Sequence, residues 1–219
     1  MIQPDLGTSI IILIGAGSIF WIIGINYKYF ISAFALVCAA IPVGWQYLHN
    51  YQKERVYTFF NPERDPLGNG YHIMQSKIAL GSGGLSGKGY LEGTQSHLNF
   101  LPEMHTDFIF TMFGEEFGFL GTIFLLIVYF SIILVSFNLA IKSRNSFGRY
   151  LSCGLIFLFF SHVFINIAMV MGLLPVVGVP LPLISYGGSS MLATMISFGL
   201  IMNCYINRDI ILAKEGFID

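Results

Sequence analysis

Asp107 is the residue whose type and position most directly suggest chemistry. It precedes a long apolar run, in the segment 101–110, LPEMHTDFIF. A carboxylate at a membrane boundary is costly to place, so such residues are functional candidates. An Asp or Thr before an apolar helix also caps backbone N–H groups that otherwise lack partners. Residue chemistry alone leaves a helix cap and a catalytic group as open alternatives.

A second candidate is the glycine-rich segment 81–89, GSGGLSGKG. It is not a P-loop, because Ser82 occupies the first glycine position of that motif and Gly89 follows the lysine. Ser86 likewise breaks the dinucleotide pattern G-x-G-x-x-G. Two interpretations remain. The segment is a flexible backbone, or it is a non-nucleotide anion site where backbone N–H groups and Lys88 face a pyrophosphate.

A third candidate is the segment 174–190, LPVVGVPLPLISYGGSS. Its three prolines preclude a continuous helix, yet the segment is strongly apolar. Non-helical backbone at membrane depth is tolerated only where it packs on protein or lines a cavity. We therefore expect this segment to be buried in protein or to dip into the membrane. Ser185, Ser189 and Ser190 either line such a cavity or cap the helix that follows.

Other chemistries are not supported. The five histidines show no H-E-x-x-H spacing, which argues against a zinc site, and no G-x-S-x-G elbow offers a serine nucleophile. His105, two residues from Asp107, is weighed as a local structural group more than as a catalytic partner.

The composition is that of an integral membrane protein. Hydrophobic residues make up 55% and charged residues 11% of the chain, whereas soluble domains carry about 25% charged residues. The net charge of −1 excludes a basic nucleic-acid binder. The three cysteines all lie in apolar runs, which favours buried free thiols over a disulfide framework or a metal cluster.

The hydropathy pattern predicts an all-α, polytopic membrane helix bundle that forms one domain over residues 1–219. A bilayer core needs ~20 residues of helix. The candidate spans are 8–25, 29–48, 108–141, 150–174 and 188–206. The third is overlong, so Glu115 and Glu116 are expected to stand outside the hydrocarbon or to face protein.

Basic residues predict the orientation. The short loops and the C-terminal segment that share one side carry Lys28, Lys142, Arg144, Arg149, Arg208 and Lys214. The positive-inside rule makes that side cytoplasmic. The long loop 49–107, the Pro/Gly-rich loop 175–187 and Asp107 then lie on the extracytoplasmic face. Because Met1 would also begin outside, an N-terminal half is expected to precede the chain.

Seven motifs occur in order along nearly the whole chain: QPDLGT (3–8), DPLGNGYHIMQS (65–76), GSGGLSGKG (81–89), GTQS (93–96), LPEMHTDFIF (101–110), GEEFGFLG (114–121) and PVVGVPLPLISYGGSS (175–190). With them the sequence closely resembles the SEDS family (shape, elongation, division and sporulation). These membrane glycosyltransferases polymerise peptidoglycan from lipid II. The glycine stretch, the Thr-Gln-Ser element and PVVGVPLP resemble the RodA, or elongation, branch more than the FtsW-like division branch.

The resemblance implies a ten-span fold in the bacterial inner membrane, of which this chain is the second half. It implies that Asp107 is catalytic and that Asp5 lies near the same outer cavity. It also implies partners: lipid II, undecaprenyl pyrophosphate, a class B penicillin-binding protein that acts as transpeptidase, and other elongation-complex membrane proteins. The first five spans of the family are absent here, so activity of the chain by itself is an open question.

The expected reaction is an inverting displacement, because lipid II carries an α-linked pyrophosphate and the polymer is β-1,4-linked. Asp107 is the candidate general base. Lys88, Arg64, or a divalent cation (Mg²⁺ or Mn²⁺) shared by Asp107 and Asp5 would offset the pyrophosphate charge. The other substrate-binding candidates in these motifs are Gln95, Ser96, Glu103, His105, Thr106, Ser185 and Ser189.

Three alternatives remain from other classes. A lipid-linked precursor flippase should carry polar groups along a path through the membrane, whereas here they concentrate on one face. A non-catalytic scaffold for a transpeptidase should tolerate substitution of Asp107. A truncated or split gene product would have no activity of its own.

Overall fold

The computed structural model describes residues 6–47, 49–65, 68–94 and 105–209. Within these residues the chain is helical and has no strand. The α-helices are α1 (Leu6–Ile23), α2 (Tyr27–Tyr47), α3 (Asn50–Phe60), α4 (Asn69–Ser82), α5 (Ile109–Ile141), α6 (Ser146–Val170) and α7 (Gly188–Ile206), with a 3-10 turn at Pro62–Arg64.

Three of these helices, α5, α6 and α7, are long and apolar enough to cross a membrane. The apolar parts of α1 and α2 are shorter, covering residues 7–23 and 27–42. The prediction of an all-helical membrane bundle is confirmed, with three helices of membrane-spanning length and two shorter apolar helices. The helices occur at all five positions that the hydropathy pattern indicated.

Helix α6 is the centre of the bundle. It packs against α1, α5 and α7, and also contacts α4. Its buried Val163, Met169 and Val170 join Phe108 and Phe110 from the start of α5 in one apolar cluster. This cluster fixes the beginning of α5 against the end of α6, next to Asp107 and the Pro/Gly-rich loop.

Helix α5 is interrupted at Gly118. It has 33 residues and would be about 50 Å long if regular, well above the ~30 Å of a bilayer core. Gly118 has φ +66° and ψ −163°, a conformation that only glycine adopts readily. The part after the break, residues 119–141, is about 34 Å long, which matches a single membrane crossing.

The glycine-rich segment docks into this break. The N–H groups of Lys88 and Gly89 donate to the carbonyls of residues 115 and 116 at 3.0 and 3.1 Å. The N–H groups of residues 119 and 120 donate to the carbonyls of Gly84 and Leu85 at 2.9 and 3.1 Å. The groups that the helix break leaves without helical partners are therefore satisfied by another backbone. We call residues 83–89 the clamp.

Glycine is needed in the clamp because two backbones touch. A Cβ on Gly87 would overlap the carbonyl oxygen of Glu116, and one on Gly83 would overlap that of Gly114. Of the two interpretations of this segment, neither simple flexibility nor an anion site at the N–H groups of residues 88 and 89 matches the structure. The segment is held by backbone hydrogen bonds to α5, although Gly83 alone among residues 81–89 is buried.

One prediction about the cysteines is wrong in part. All three thiols are free, and Cys153 is buried, but Cys204 is only half-buried and Cys38 is exposed. Cys38 lies on α2, whose described side chains are almost all exposed. An apolar run predicts a membrane-facing helix as readily as a buried one, so burial does not follow from the run alone.

Candidate active site

The backbone around Asp107 is anchored at three consecutive residues. The carbonyl oxygens of residues 105, 106 and 107 accept hydrogen bonds, in that order, from the N–H of Tyr186 at 2.9 Å, the hydroxyl of Ser185 at 2.6 Å and the side-chain amide of Asn166 at 2.9 Å. Two donors come from the Pro/Gly-rich loop and the third from α6. The loop and the helix together fix the chain just before α5 begins.

The Pro/Gly-rich loop is itself tied down. The side-chain amide of Asn166 also donates to the carbonyl of Val179 at 2.6 Å. The hydroxyl of Ser185 accepts from the N–H of Leu181 at 2.7 Å, and the hydroxyl of Tyr129 donates to the carbonyl of Pro182 at 2.5 Å. Buried polar groups with these partners are inexpensive to bury. The expected burial is confirmed in part: Val176, Val179, Leu181, Pro182 and Ser185 are buried, whereas Ile184 and Tyr186 are exposed.

The carboxylate of Asp107 packs on the turn at Gly178. A Cβ built on Gly178 would lie 3.2 Å from Oδ2 of Asp107, and Gly178 has φ +78°. The Asp107 residue as a whole is half-buried. The contact with this turn restricts the position of the carboxylate, and the residue as a whole stays partly accessible.

A cleft opens beside this segment. Its volume is about 660 Å³, within the usual range of ligand-binding sites. Its lining comprises His105, Ile109, residues 184–188 and Met191. The cleft therefore has one wall from the start of α5 and the other from the Pro/Gly-rich loop and the start of α7.

Lys88 lies in the clamp, and its ammonium pairs with a buried acid. Its Nζ lies 2.7 Å from Oε1 of Glu115, whose side chain is 0% exposed, while the Lys88 side chain keeps 27% exposure. The hydroxyl of Thr94 lies 2.9 Å from the ammonium and 3.2 Å from the same carboxylate oxygen. Of the two expectations for Glu115, the one that it faces protein is confirmed. The ammonium is shared with Glu115 rather than free in solvent.

His72 of α4 borders the same region. Its ring lies 6.2 Å, centroid to centroid, from the ring of Phe108. Burial lowers the pKa of His72, and the negative charge of Asp65 partly opposes that effect. The imidazole beside the anchored segment is therefore biased toward its neutral form.

Comparison with known proteins decides the family. The FtsW/RodA/SpoVE family, described as a cell cycle protein family, matches residues 1–209. The chain belongs to this family. The SEDS resemblance seen in the motifs is thereby confirmed.

The relatives of this FtsW/RodA/SpoVE chain carry consistent names. Peptidoglycan glycosyltransferase MrdB of Escherichia coli K12 is 50% identical over 207 residues, covering 94% of this chain and 56% of the relative. Peptidoglycan glycosyltransferase RodA of Treponema pallidum is 42% identical over 185 residues, covering 82% and 42%. The probable peptidoglycan glycosyltransferase FtsW of Trichlorobacter lovleyi is 38% identical over 211 residues, covering 92% and 52%. The chain spans about half the length of these relatives.

A solved structure shows the same fold. A chain from the work described as "Structural coordination of polymerization and crosslinking by a peptidoglycan synthase complex" is 31% identical to this family member, with a TM-score of 0.78. The match covers 95% of this chain and 57% of that chain. The part of the family fold that this chain provides is thus recognisable from end to end.

Several predicted site residues converge and others do not. His105 and Ser185 line the cleft, and Thr106 and Asp107 follow His105 in the anchored segment beside it. Ser189 instead borders a second cavity of about 410 Å³ between α1, α6 and α7, with His162, Thr194 and Ser197. Asp5, Gln95, Ser96 and Glu103 lie outside the described residues, as does the side chain of Arg64.

Two expectations about helix caps are wrong. The N-cap of α5 is Phe108, so neither Thr106 nor Asp107 holds that position. The N-cap of α7 is Gly187, and no serine side chain caps that helix there. In both cases the anchoring of the preceding loop sets where the helix begins, which side-chain propensity at one residue does not reveal.

Asn166 is the site residue that sequence reasoning missed. It lies inside an apolar run, INIAMV, without a motif around it that signals a role. The one signal was its type: a carboxamide within a membrane helix is costly unless it has hydrogen-bond partners.

Proposed function

We propose that this chain supplies the catalytic carboxylate, Asp107, of a peptidoglycan glycosyltransferase that polymerises lipid II during cell elongation. The observation that carries the proposal is the anchoring of segment 105–107 by three hydrogen bonds, beside a cleft of about 660 Å³ that His105 and Ser185 line. The names of the relatives supply the reaction, since MrdB of Escherichia coli is called a peptidoglycan glycosyltransferase.

The proposed topology has five spans, with α1 and α2 crossing the membrane beside α5, α6 and α7. The chain then forms the second half of a ten-span fold in the bacterial inner membrane. The loop 49–107, the loop 175–187 and the cleft lie on the extracytoplasmic face, and the C-terminus lies in the cytoplasm. The polymerised substrate is exposed on that outer face.

In the proposed reaction Asp107 acts as general base. It removes the proton from the acceptor sugar hydroxyl as that oxygen attacks the anomeric carbon of the donor, and the bond to the lipid pyrophosphate breaks with inversion. Such a base typically contributes 10²–10⁴-fold in rate, roughly. Fixing the backbone on both sides of the carboxylate keeps the base in line with the attacking hydroxyl.

The remaining residues are proposed to bind substrate around this base. His105, Thr106 and Ser185 border the acceptor site, with Gln95, Ser96, Glu103, Asp5 and Ser189 in more distant contacts. Lys88 and Arg64 offset the pyrophosphate charge. For Lys88 this means sharing its ammonium between Glu115, at 2.7 Å, and the substrate anion.

A divalent cation, Mg²⁺ or Mn²⁺, is a further proposed contribution to offsetting that charge. Within the described residues no group of three or more His, Cys, Asp and Glu side chains could hold one. A cation would therefore depend on Asp107 together with Asp5. When bound it would supply electrostatic stabilisation of the departing pyrophosphate.

The proposed partners are a class B penicillin-binding protein, which crosslinks the new strand, and other membrane proteins of the elongation complex. The similar solved structure comes from a study of a peptidoglycan synthase complex that coordinates polymerisation and crosslinking. Those words describe polymerisation and crosslinking as coordinated within that complex, which supports a crosslinking partner for this chain.

The proposal is tested on the intact assembly purified from native membranes and incubated with lipid II in detergent or vesicles. The expected product is a β-1,4-linked glycan chain with release of undecaprenyl pyrophosphate. Movement of intact lipid II across the vesicle membrane without polymer would instead establish a flippase. If the assembly shows neither activity while the transpeptidase is still bound, the result would indicate a scaffold.

A further inference from the structure

Asn166 is fully buried near the end of α6, among apolar neighbours. Its side-chain amide nitrogen donates two hydrogen bonds, to the carbonyl of Asp107 at 2.9 Å and to the carbonyl of Val179 at 2.6 Å. Its side-chain oxygen has no hydrogen-bond partner among the described residues. One carboxamide thus joins the catalytic segment, the Pro/Gly-rich loop and the central helix.

This arrangement is costly for the fold alone. A buried acceptor without a partner destabilises the folded state, and an apolar side chain of similar size would avoid that cost. The two donated hydrogen bonds, in contrast, determine geometry, because both end on the segments that flank the Asp107 carboxylate. The same loop brings Gly178 to within 3.2 Å of Oδ2, measured from its ideal Cβ position.

We propose that Asn166 is a positioning residue for the glycosyl transfer. It fixes the distance between the Asp107 backbone and the Val179 turn, and so sets where the carboxylate stands relative to the acceptor hydroxyl. The proposal rests on the function proposed above for Asp107. Asn166, a residue on the apolar helix α6, would then influence the rate of the chemical step.

The informative variant is Asn166→Asp, which keeps the shape and volume of the side chain. When ionised it has no hydrogen to donate and sets oxygen against two carbonyl oxygens; when protonated it keeps only one O–H. Asn166→Ala removes both hydrogen bonds without adding a charge, and serves if the first variant folds poorly. The control is Ser161→Ala, since Ser161 is buried on the same helix and its hydroxyl donates within α6, to the carbonyl of Phe157 at 2.8 Å.

The first measurement is amide hydrogen exchange of the folded chain, which does not depend on activity. The reporters are the N–H of Leu181, bonded to Ser185 at 2.7 Å, and the N–H of Tyr186, bonded to His105 at 2.9 Å. Both Asn166 variants should raise exchange at these two amides by about tenfold, as for loss of a buried local hydrogen bond. Ser161→Ala should leave it unchanged.

The second measurement is steady-state polymerisation by the intact assembly. Asn166→Asp and Asn166→Ala should lower kcat by about 10²-fold, as for a small misplacement of a catalytic group, with little change in KM for lipid II. Unchanged exchange in both variants would overturn the proposal, whatever the activity. Raised exchange with normal kcat would overturn its catalytic part. A wild-type assembly without polymerase activity would refute the proposed function, while the exchange data still decide the structural role of Asn166.

Discussion

At the scale of single residues, Gly178 has two separate reasons to be glycine. Its φ of +78° is a left-handed conformation, and a Cβ at this position would press on the Asp107 carboxylate from 3.2 Å. Gly24 shares only the first reason, because it has φ +90° but a Cβ added there would meet no atom within 4 Å. Comparing substitutions at the two glycines therefore distinguishes the effect of backbone strain from an effect on the position of the Asp107 carboxylate.

We predict that Gly178→Ala and Gly24→Ala each destabilise the chain by roughly 1–2 kcal/mol, the cost of a side chain in the left-handed region. Only Gly178→Ala should also lower polymerisation, because only its methyl group displaces the carboxylate. Thermal unfolding in detergent and initial rates would be measured together. Equal activity losses in the two variants would show that Gly178 acts through stability alone.

Sequence patterns identified Asp107 but not what fixes it. An acid at the start of an apolar run is visible in a one-dimensional pattern. The partners that hold residues 105–107 are Asn166, Ser185 and Tyr186, which lie between 59 and 81 residues further along the chain than the residues they bond to. Ser185 was expected at a cavity, where it lies, yet its hydroxyl serves the backbone of residues 181 and 106. Contacts of such sequence separation have no local signature.

At the scale of elements, the clamp stabilises helix α5 at its break. The break at Gly118 leaves backbone groups without helical partners, and residues 83–89 supply four hydrogen bonds across it. The Lys88–Glu115 ion pair lies beside these bonds, with its carboxylate fully buried. A buried carboxylate that loses its cation is strongly unfavourable, so this pair should be much more sensitive than a surface pair.

We predict that Lys88→Met destabilises the chain by about 3 kcal/mol, at the low end for a broken buried pair because Lys88 keeps part of its exposure. The double variant Lys88→Met/Glu115→Met should recover most of that loss, since no unpaired charge remains buried. The control is Arg144→Met, whose partner Asp209 lies 3.4 Å away on the surface. Such surface pairs contribute about 0–1 kcal/mol.

Unfolding in a denaturant series would measure these differences. If the double variant is as unstable as Lys88→Met, the destabilisation comes from lost packing in the clamp rather than from the buried charge. If Lys88→Met is no worse than Arg144→Met, the ion pair contributes nothing beyond a surface contact.

Hydropathy placed the five long apolar helices to within a few residues, because an apolar run of about bilayer length has few alternatives. It predicted α5 as overlong but not its break. A glycine within an apolar helix is common in membrane proteins and does not mark a break by itself. The role of the clamp also escaped prediction. A glycine-rich segment looks the same in sequence whether its glycines allow close backbone approach or confer flexibility.

At the scale of the whole molecule, the irregular segments around Asp107 gather at one end of the bundle. The clamp, the Pro/Gly-rich loop and the anchored segment 105–107 all contact the first turns of α5 or the end of α6. Large apolar side chains on α1, α2 and α7 remain exposed, Leu36 at 72% and Leu192 at 66% among them. Exposed apolar surface of this extent is expected of helices that face lipid or other membrane helices.

The central claim is that Asp107 takes a proton in the chemical step, and Asp107→Asn tests it most directly. The amide has nearly the same shape but cannot act as a base near neutral pH, while Glu63→Gln removes an exposed carboxylate as a control. Single-turnover polymerisation of lipid II by the intact assembly should fall by about 10²–10⁴-fold in Asp107→Asn and stay normal in Glu63→Gln. Substrate binding and amide exchange at Tyr186 should not change. A single-turnover rate near that of the wild type, in a variant that binds lipid II normally, would contradict the account.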